Sequence, residues 1–209
     1  MSGDYNVGSR ELDGVILAGG RGLRMQEADK GLMLLHHRPL VAHVLEALRP
    51  QVATCMISAN RNAELYAQFG TPLVRDVWPD LRGPLAGMHA AARHSGREWL
   101  IAAPCDMPGL PDDLVAQLLI AAQQANRSAA YAVVDGDPVY PLCLLHRSCF
   151  AALQMALEQG QYAVGRWLAA QDAVPVVITN WVGPPLNLNT PDRLATAHTV
   201  YPWKPNSPT

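Results

Sequence analysis

The sequence predicts an α/β fold, three layers deep (α/β/α), with a mostly parallel sheet between two layers of helices. Three observations predict it. Short apolar runs alternate along the chain with segments whose apolar residues recur at helical spacing, the βαβα order of a parallel sheet. The first apolar run, Val15-Ile16-Leu17-Ala18, stops at Gly19-Gly20-Arg21-Gly22-Leu23-Arg24-Met25, as a strand buried on both faces does. The most unusual polar residues then follow successive strand candidates, and in such sheets ligands sit outside the carboxyl ends of the strands.

Taken in order, strands are expected at residues 14–18, 54–58, 72–75, 99–103, 130–134, 139–145 and 174–178. Helical spacing predicts helices at 40–48, 63–69, 85–94, 111–124, 148–158 and 164–170. A last helix is expected at 191–197, with Thr190 as its N-cap and Pro191 at its first position. Residues 1–11 and 199–209 read as loose tails, the second carrying three prolines, around one domain at 12–198.

Composition excludes several classes. A chain of 209 residues, 49% apolar, can bury a substantial core. Its net charge of −2 leaves no sequence-wide basic surface for nucleic acid, so any phosphate-binding charge is local. Cys55, Cys105, Cys143 and Cys149 form no C-x-x-C pair, which argues against a zinc ribbon and for reduced thiols. Residues 1–10 lack the apolar core of a secretory signal, and no apolar stretch has membrane-spanning length. A soluble, cytoplasmic protein is expected.

The glycine run points to a nucleotide triphosphate site. Glycines let a backbone approach a ligand closely and present N–H groups to anionic oxygens. Arg21, Arg24 and Lys30 supply the positive charge that phosphates require. The dinucleotide fingerprint G-x-G-x-x-G fails because Met25 stands where the third glycine belongs. Walker A fails because Gly31 follows Lys30. An ordinary glycine-rich turn would need neither Arg24 nor the Asp29-Lys30 pair.

Asp106 lies in Ala103-Pro104-Cys105-Asp106-Met107-Pro108, past the fourth strand and between prolines that restrict its backbone. A carboxylate facing a triphosphate calls for a cation between them, and magnesium on one or two carboxylates plus phosphate oxygens meets that need. The competing role is a cap for the turn at residues 108–111. Lys30 is a compact charge suited to stabilising nucleotidyl transfer. Arg24 pairs with phosphate or with Asp29, and Asp29 orients the loop. Asn60 and Asp76 end the second and third strands, where base or ribose contact competes with simple turn formation. Gly83-Pro84-Leu85-Ala86-Gly87 opens a helix towards the same cleft, offering backbone donors or only a helix entry. The tryptophans read as core or edge packing, with a place bordering the ligand as the competing role for Trp78, beside Asp76. The seven histidines show no metal-ligand spacing, and no Ser-His-Asp arrangement can be read.

Together these motifs resemble the molybdenum cofactor guanylyltransferases. The likeness runs through Leu17-Ala18-Gly19-Gly20-x-x-x-Arg24-Met25, Asp29-Lys30-Gly31, Arg38-Pro39-Leu40, Ala59-Asn60-Arg61, Asp76, Gly83-Pro84-Leu85-Ala86-Gly87, Pro104-Cys105-Asp106-Met107-Pro108 and Asn187-x-Asn189-Thr190-Pro191. It spans residues 13–197 in order. The first motif is common to many nucleotidyltransferases; Asp-Lys-Gly and Asn-x-Asn-Thr-Pro are more specific. The resemblance implies a Rossmann-like nucleotidyltransferase fold that attaches GMP from GTP to molybdopterin, with magnesium, releasing pyrophosphate. It implies GTP contacts at Leu17, Ala18, Gly19, Lys30, Asn60, Asp76 and Asp106, to which the glycine-loop reading adds Gly20 and Gly22. Asp106 would also hold the metal, Asn187 and Asn189 would face molybdopterin, and Lys30, Arg24 and Asp106 would carry catalysis. Implied partners are a chaperone that delivers the molybdenum cofactor and the apo-enzymes that receive the product.

Two positions depart from the family pattern. Gln26-Glu27 replaces the glycines usual after Arg-Met, and Tyr140 precedes Pro141 where histidine is frequent. Three other readings stay open: CTP as the nucleotide, another phosphorylated acceptor, or a non-catalytic nucleotide- or pterin-binding protein.

Overall fold

Continuous apolar runs form the central strands because both faces of the sheet are covered. The computed structural model describes residues 12–18, 29–78, 83–181 and 197. β1 (Leu12–Leu17) is followed by a two-stranded ribbon of β2 (Leu34–Leu35) and β3 (Arg38–Pro39), then α1 (Leu40–Leu48). Next come β4 (Thr54–Ser58), α2 (Ala63–Ala67), β5 (Leu73–Val74), α3 (Pro84–His94) and β6 (Trp99–Pro104). The chain continues through α4 (Leu114–Gln124), β7 (Ala129–Val134), β8 (Asp137–His146), α5 (Phe150–Glu158), α6 (Val164–Ala170) and β9 (Val174–Val177).

The main sheet has seven strands in the order β5-β4-β1-β6-β8-β7-β9. Only β8 runs against the others, antiparallel to both β6 and β7. Side chains alternate between faces with the strand period of two. Ile16, Ile57 and Ile101 pack with Val41, Leu48 and Leu118 of α1 and α4. Val15, Met56 and Leu100 pack with Leu85, Leu153 and Leu168 of α3, α5 and α6. The expected three layers therefore form around a mostly parallel sheet.

Most expected elements shift by a few residues at their ends. The helix expected at 63–69 stops at Ala67, and that at 111–124 starts at Leu114. The helix expected at 148–158 is preceded by a 3-10 turn, Arg147–Cys149. The expected 191–197 helix, Thr190 and both tails lie outside the described residues, apart from Ala197, which is buried beside Leu35 and Leu40.

Two hairpins were not anticipated. His36 and His37, at φ 49° and 63°, turn the chain between β2 and β3. Asp135 and Gly136, at φ 51° and 85°, turn it between β7 and β8, the left-handed pair that a tight hairpin requires. An Asp-Gly dipeptide between two apolar runs was the available signal. β8 also slips in register against β7 between Tyr131 and Ala132, leaving residues 140–142 as a bulge. Pairing of β6 with β8 ends at Ala102, whereas its pairing with β1 continues to Pro104.

Candidate active site

Four adjacent parallel strands end on one rim. Backbone bonds carry the sheet just past them: Ala18 N donates to Ser58 O at 2.9 Å, Ala59 N to Val74 O at 3.1 Å and Cys105 N to Leu17 O at 3.2 Å. The residues next in line come side by side: Asp76 after β5, Asn60 after β4, Ala18 after β1 and Asp106 after β6. Leu17 and Ala18 thus sit mid-rim, flanked by the other strand ends.

Lys30 comes from a different segment. Asp29 caps the 3-10 turn Lys30–Leu32, its Oδ1 accepting from Gly31 N at 3.2 Å. The same oxygen accepts the Tyr66 hydroxyl proton at 2.5 Å, and Oδ2 accepts from Asn62 Nδ2 at 2.8 Å. So anchored, Lys30 places Nζ 3.6 Å from Asp106 Oδ2. The Asp106 side chain is only 9% exposed, and its burial pushes the carboxyl above the usual range although Lys30 pulls the other way. Gly31 fills the space between Tyr66 and Cys105: a Cβ there would collide with the Tyr66 hydroxyl and lie 3.4 Å from Cys105 Sγ. Each member of Asp29-Lys30-Gly31 therefore has its own physical task.

Asn60 and Asp76 form a reciprocal pair. Asn60 Nδ2 donates to Asp76 Oδ2 at 2.8 Å, and Asp76 N donates to Asn60 Oδ1 at 3.0 Å. Asp76 Oδ1 is buried and meets no donor among the described residues. Burial pushes this carboxyl up, against the Asn60 hydrogen bond. An unmet buried acceptor costs about 1–3 kcal/mol, so Asp76 Oδ1 is left with capacity for one further donor.

The MobA-like NTP transferase domain matches residues 14–174. The chain is 43% identical over 181 residues to the molybdenum cofactor guanylyltransferase of Serratia proteamaculans, covering 86% of this chain and 90% of that one. It is 40% identical over 196 residues to that of Cupriavidus necator, covering 90% and 97%. The chain belongs to the molybdenum cofactor guanylyltransferases. Molybdopterin-guanine dinucleotide biosynthesis protein A of Archaeoglobus fulgidus shares the fold, with a TM-score of 0.74 at 23% identity over 90% of this chain and 97% of that one.

In this guanylyltransferase the rim continues onto α3. Gly83 enters the helix at φ 74°, and buried Gly87 lets the helix lie against the rim. A Cβ at Gly87 would come 2.7 Å from Ser58 Oγ and 2.9 Å from Leu17 Cδ2. Trp78 packs against His89 of α3 with ring centroids 4.7 Å apart and ring planes tilted by 47°. Burial lowers the His89 pKa, favouring its neutral form. Gly19, Gly20, Gly22, Arg24, Gln26, Glu27, Asn187 and Asn189 lie outside the described residues.

MobA-like nucleotidyltransferases generally use a divalent metal. Among the described residues no three His, Cys, Asp or Glu side chains gather as a metal cage. The donor set does fit a metal shared with substrate. Asp106 is a buried carboxylate with Lys30 beside it, and magnesium takes one or two carboxylates completed by phosphate oxygens and water.

Sequence reasoning missed Tyr66, Asn62 and His89. Tyr66 occupies an apolar position of a helical pattern, which signals burial and hides the direction of the hydroxyl. Asn62 had a weak signal, a polar residue just ahead of a predicted helix.

Proposed function

We propose that this chain transfers GMP from GTP to the terminal phosphate of molybdenum-molybdopterin, giving molybdopterin guanine dinucleotide and pyrophosphate. The observation that carries this reading is the Lys30–Asp106 pair at the carboxyl end of β1 and β6, in a chain of this family. An oxygen of the acceptor phosphate attacks the α-phosphorus, and the bond to the pyrophosphate bridging oxygen breaks. The acceptor phosphate is already ionised near neutral pH, so no general base is needed. What remains is to hold two anions in line and to neutralise the charge that develops on the leaving group.

Lys30 supplies that charge from a turn held by Asp29, with Arg24 and the amides of Gly19, Gly20 and Gly22 as further phosphate contacts. Asp106 would hold magnesium, which supplies Lewis-acid neutralisation of the phosphates. Asp76 Oδ1 accepts from an N–H or O–H of the nucleoside, and Asn60 keeps that carboxylate turned to it. Leu17 and Ala18 are assigned to the nucleotide, and Asn187 and Asn189 to the acceptor. A delivery chaperone and recipient apo-enzymes are the partners this reaction requires. Four unpaired thiols suit a reducing cytoplasm, and no helix among the described residues is long and apolar enough to cross a membrane.

The test is pyrophosphate release from GTP, CTP and ATP in turn, each with magnesium and molybdenum-molybdopterin. Release from GTP alone is expected. Preference for CTP, or acceptor-independent hydrolysis, would contradict the reading.

A further inference from the structure

We propose that Tyr66 and Asn62 are positioning residues for nucleotidyl transfer, acting through the Asp29 carboxylate on Lys30. The inference rests on the reading of Lys30 given above. Lysine carries about 2 kcal/mol of rotamer entropy and presents a charge whose direction its own stem does not fix. Here the backbone beneath it is fixed instead. Asp29 immediately precedes Lys30 and accepts three hydrogen bonds, from Tyr66 Oη, Asn62 Nδ2 and Gly31 N.

The two side-chain donors are specialised for this. Tyr66 is fully buried, so its hydroxyl must find a partner inside the protein. That hydroxyl also abuts Gly31, which in turn packs towards Cys105, the neighbour of Asp106. The turn that presents Lys30 is thus packed between the Tyr66 hydroxyl and the segment that presents Asp106. Asn62 precedes α2, where an asparagine ordinarily caps the helix with its side chain. It adopts φ 53°, makes no cap hydrogen bond and donates to Asp29 instead. Asn62 sits at the entry to α2 and Tyr66 within it, joined by a hydrogen bond from Tyr66 N to Asn62 O at 3.1 Å. Asn60, two residues earlier, holds Asp76. A single short segment therefore sets both the Asp76 contact and the Lys30 turn.

Tyr66→Phe keeps the ring and removes the donor; Asn62→Ala removes the second donor at an exposed position, so it carries the test should the buried change impair folding. In steady-state GMP transfer each is expected to lower kcat about tenfold, as for loss of a hydrogen bond to a charged group, with KM for GTP within twofold. In a Lys30→Ala background, the same changes are expected to alter the residual rate less than twofold. Wild-type kcat in both single variants overturns the proposal, as does an equal fold loss with and without Lys30, which marks a merely structural role. Normal turnover by Lys30→Ala alone removes the underlying reading and this proposal with it. Impaired Lys30→Ala beside unimpaired Tyr66→Phe and Asn62→Ala removes the proposal only.

Discussion

The β5-β4-β1-β6 half of the sheet and its β8-β7-β9 half end in different chemistry. In the first, strand ends are stitched together by backbone bonds and their polar side chains are tied in pairs: Asn60 with Asp76, Lys30 with Asp106, Tyr66 and Asn62 with Asp29. In the second, the chain doubles back at Asp135-Gly136 and bulges at residues 140–142. The rings of Tyr131 and Tyr140 lie 5.4 Å apart there. Its edge strand β9 carries Pro175, which leaves one fewer donor for unwanted strand pairing. The first half brings the Lys30–Asp106 pair and the Asp76 carboxylate to its strand ends, and the hairpin half carries an aromatic pair at its bulge. Damage to the first half should cost turnover, and damage to the second should cost stability.

The largest effect separates the halves by activity. Lys30→Ala and Asp106→Ala are each expected to lower GMP transfer about a hundred- to a thousandfold, the scale of losing one electrostatic contact to a transition state. Their melting temperatures should stay within a few degrees of the parent. Near-normal turnover in either variant would break the contrast.

A change in the second half should do the reverse. Gly165 of α6 lies under Tyr140, and a Cβ there would fall 2.6 Å from ring carbon Cε2. Gly165→Ala is expected to cost about 1 kcal/mol, the displacement of a partly exposed ring less what alanine gains over glycine inside a helix, a drop of a few degrees at about 2–4 °C per kcal/mol. KM for GTP should not change. Adding Tyr140→Ala should restore part of the loss, because the clashing ring is gone.

The smallest effect sharpens the first half itself. Burial holds the Asp106 carboxyl above its unfolded value, so the folded protein keeps a proton that the unfolded chain releases. Stability of the metal-free protein should therefore fall as pH rises from the unfolded value, about 3.9, through the raised folded one. Asp106→Asn removes that loss. Thermal melts should show the variant equal to the parent near pH 3 and slightly more stable at pH 7, while inactive. A melting difference that does not change with pH would contradict the buried-charge account.

Which of these residues could be read from sequence follows from how local their signals are. Asp106 and Lys30 stand beside strand ends and glycines, and such punctuation survives in one dimension. The paired duty of Asn60 and Asp76 was legible only as a shared rim, because the two are 16 residues apart. Tyr66 meets Asp29 across 37 residues, and nothing local to an apolar helix position announces where a hydroxyl points. The reversed β8 had a local signal in Asp135-Gly136, outweighed by the βαβα rhythm around it. His36 and His37 adopt left-handed conformations, which histidine takes more readily than most residues but without the Gly, Asn or Asp of the usual hairpin turns, so their turn had only a weak residue signature.

The central claim is that the rim of β5-β4-β1-β6 holds a metal-charged GTP with Asp106 at the metal. Calorimetric titration of GTP, with and without magnesium, into the parent chain and Asp106→Asn tests it most directly. Magnesium is expected to tighten GTP binding at least about tenfold in the parent, 1.4 kcal/mol in binding energy, and to leave Asp106→Asn unaffected. Equal magnesium dependence in the two proteins, or GTP binding indifferent to the metal in both, would contradict it.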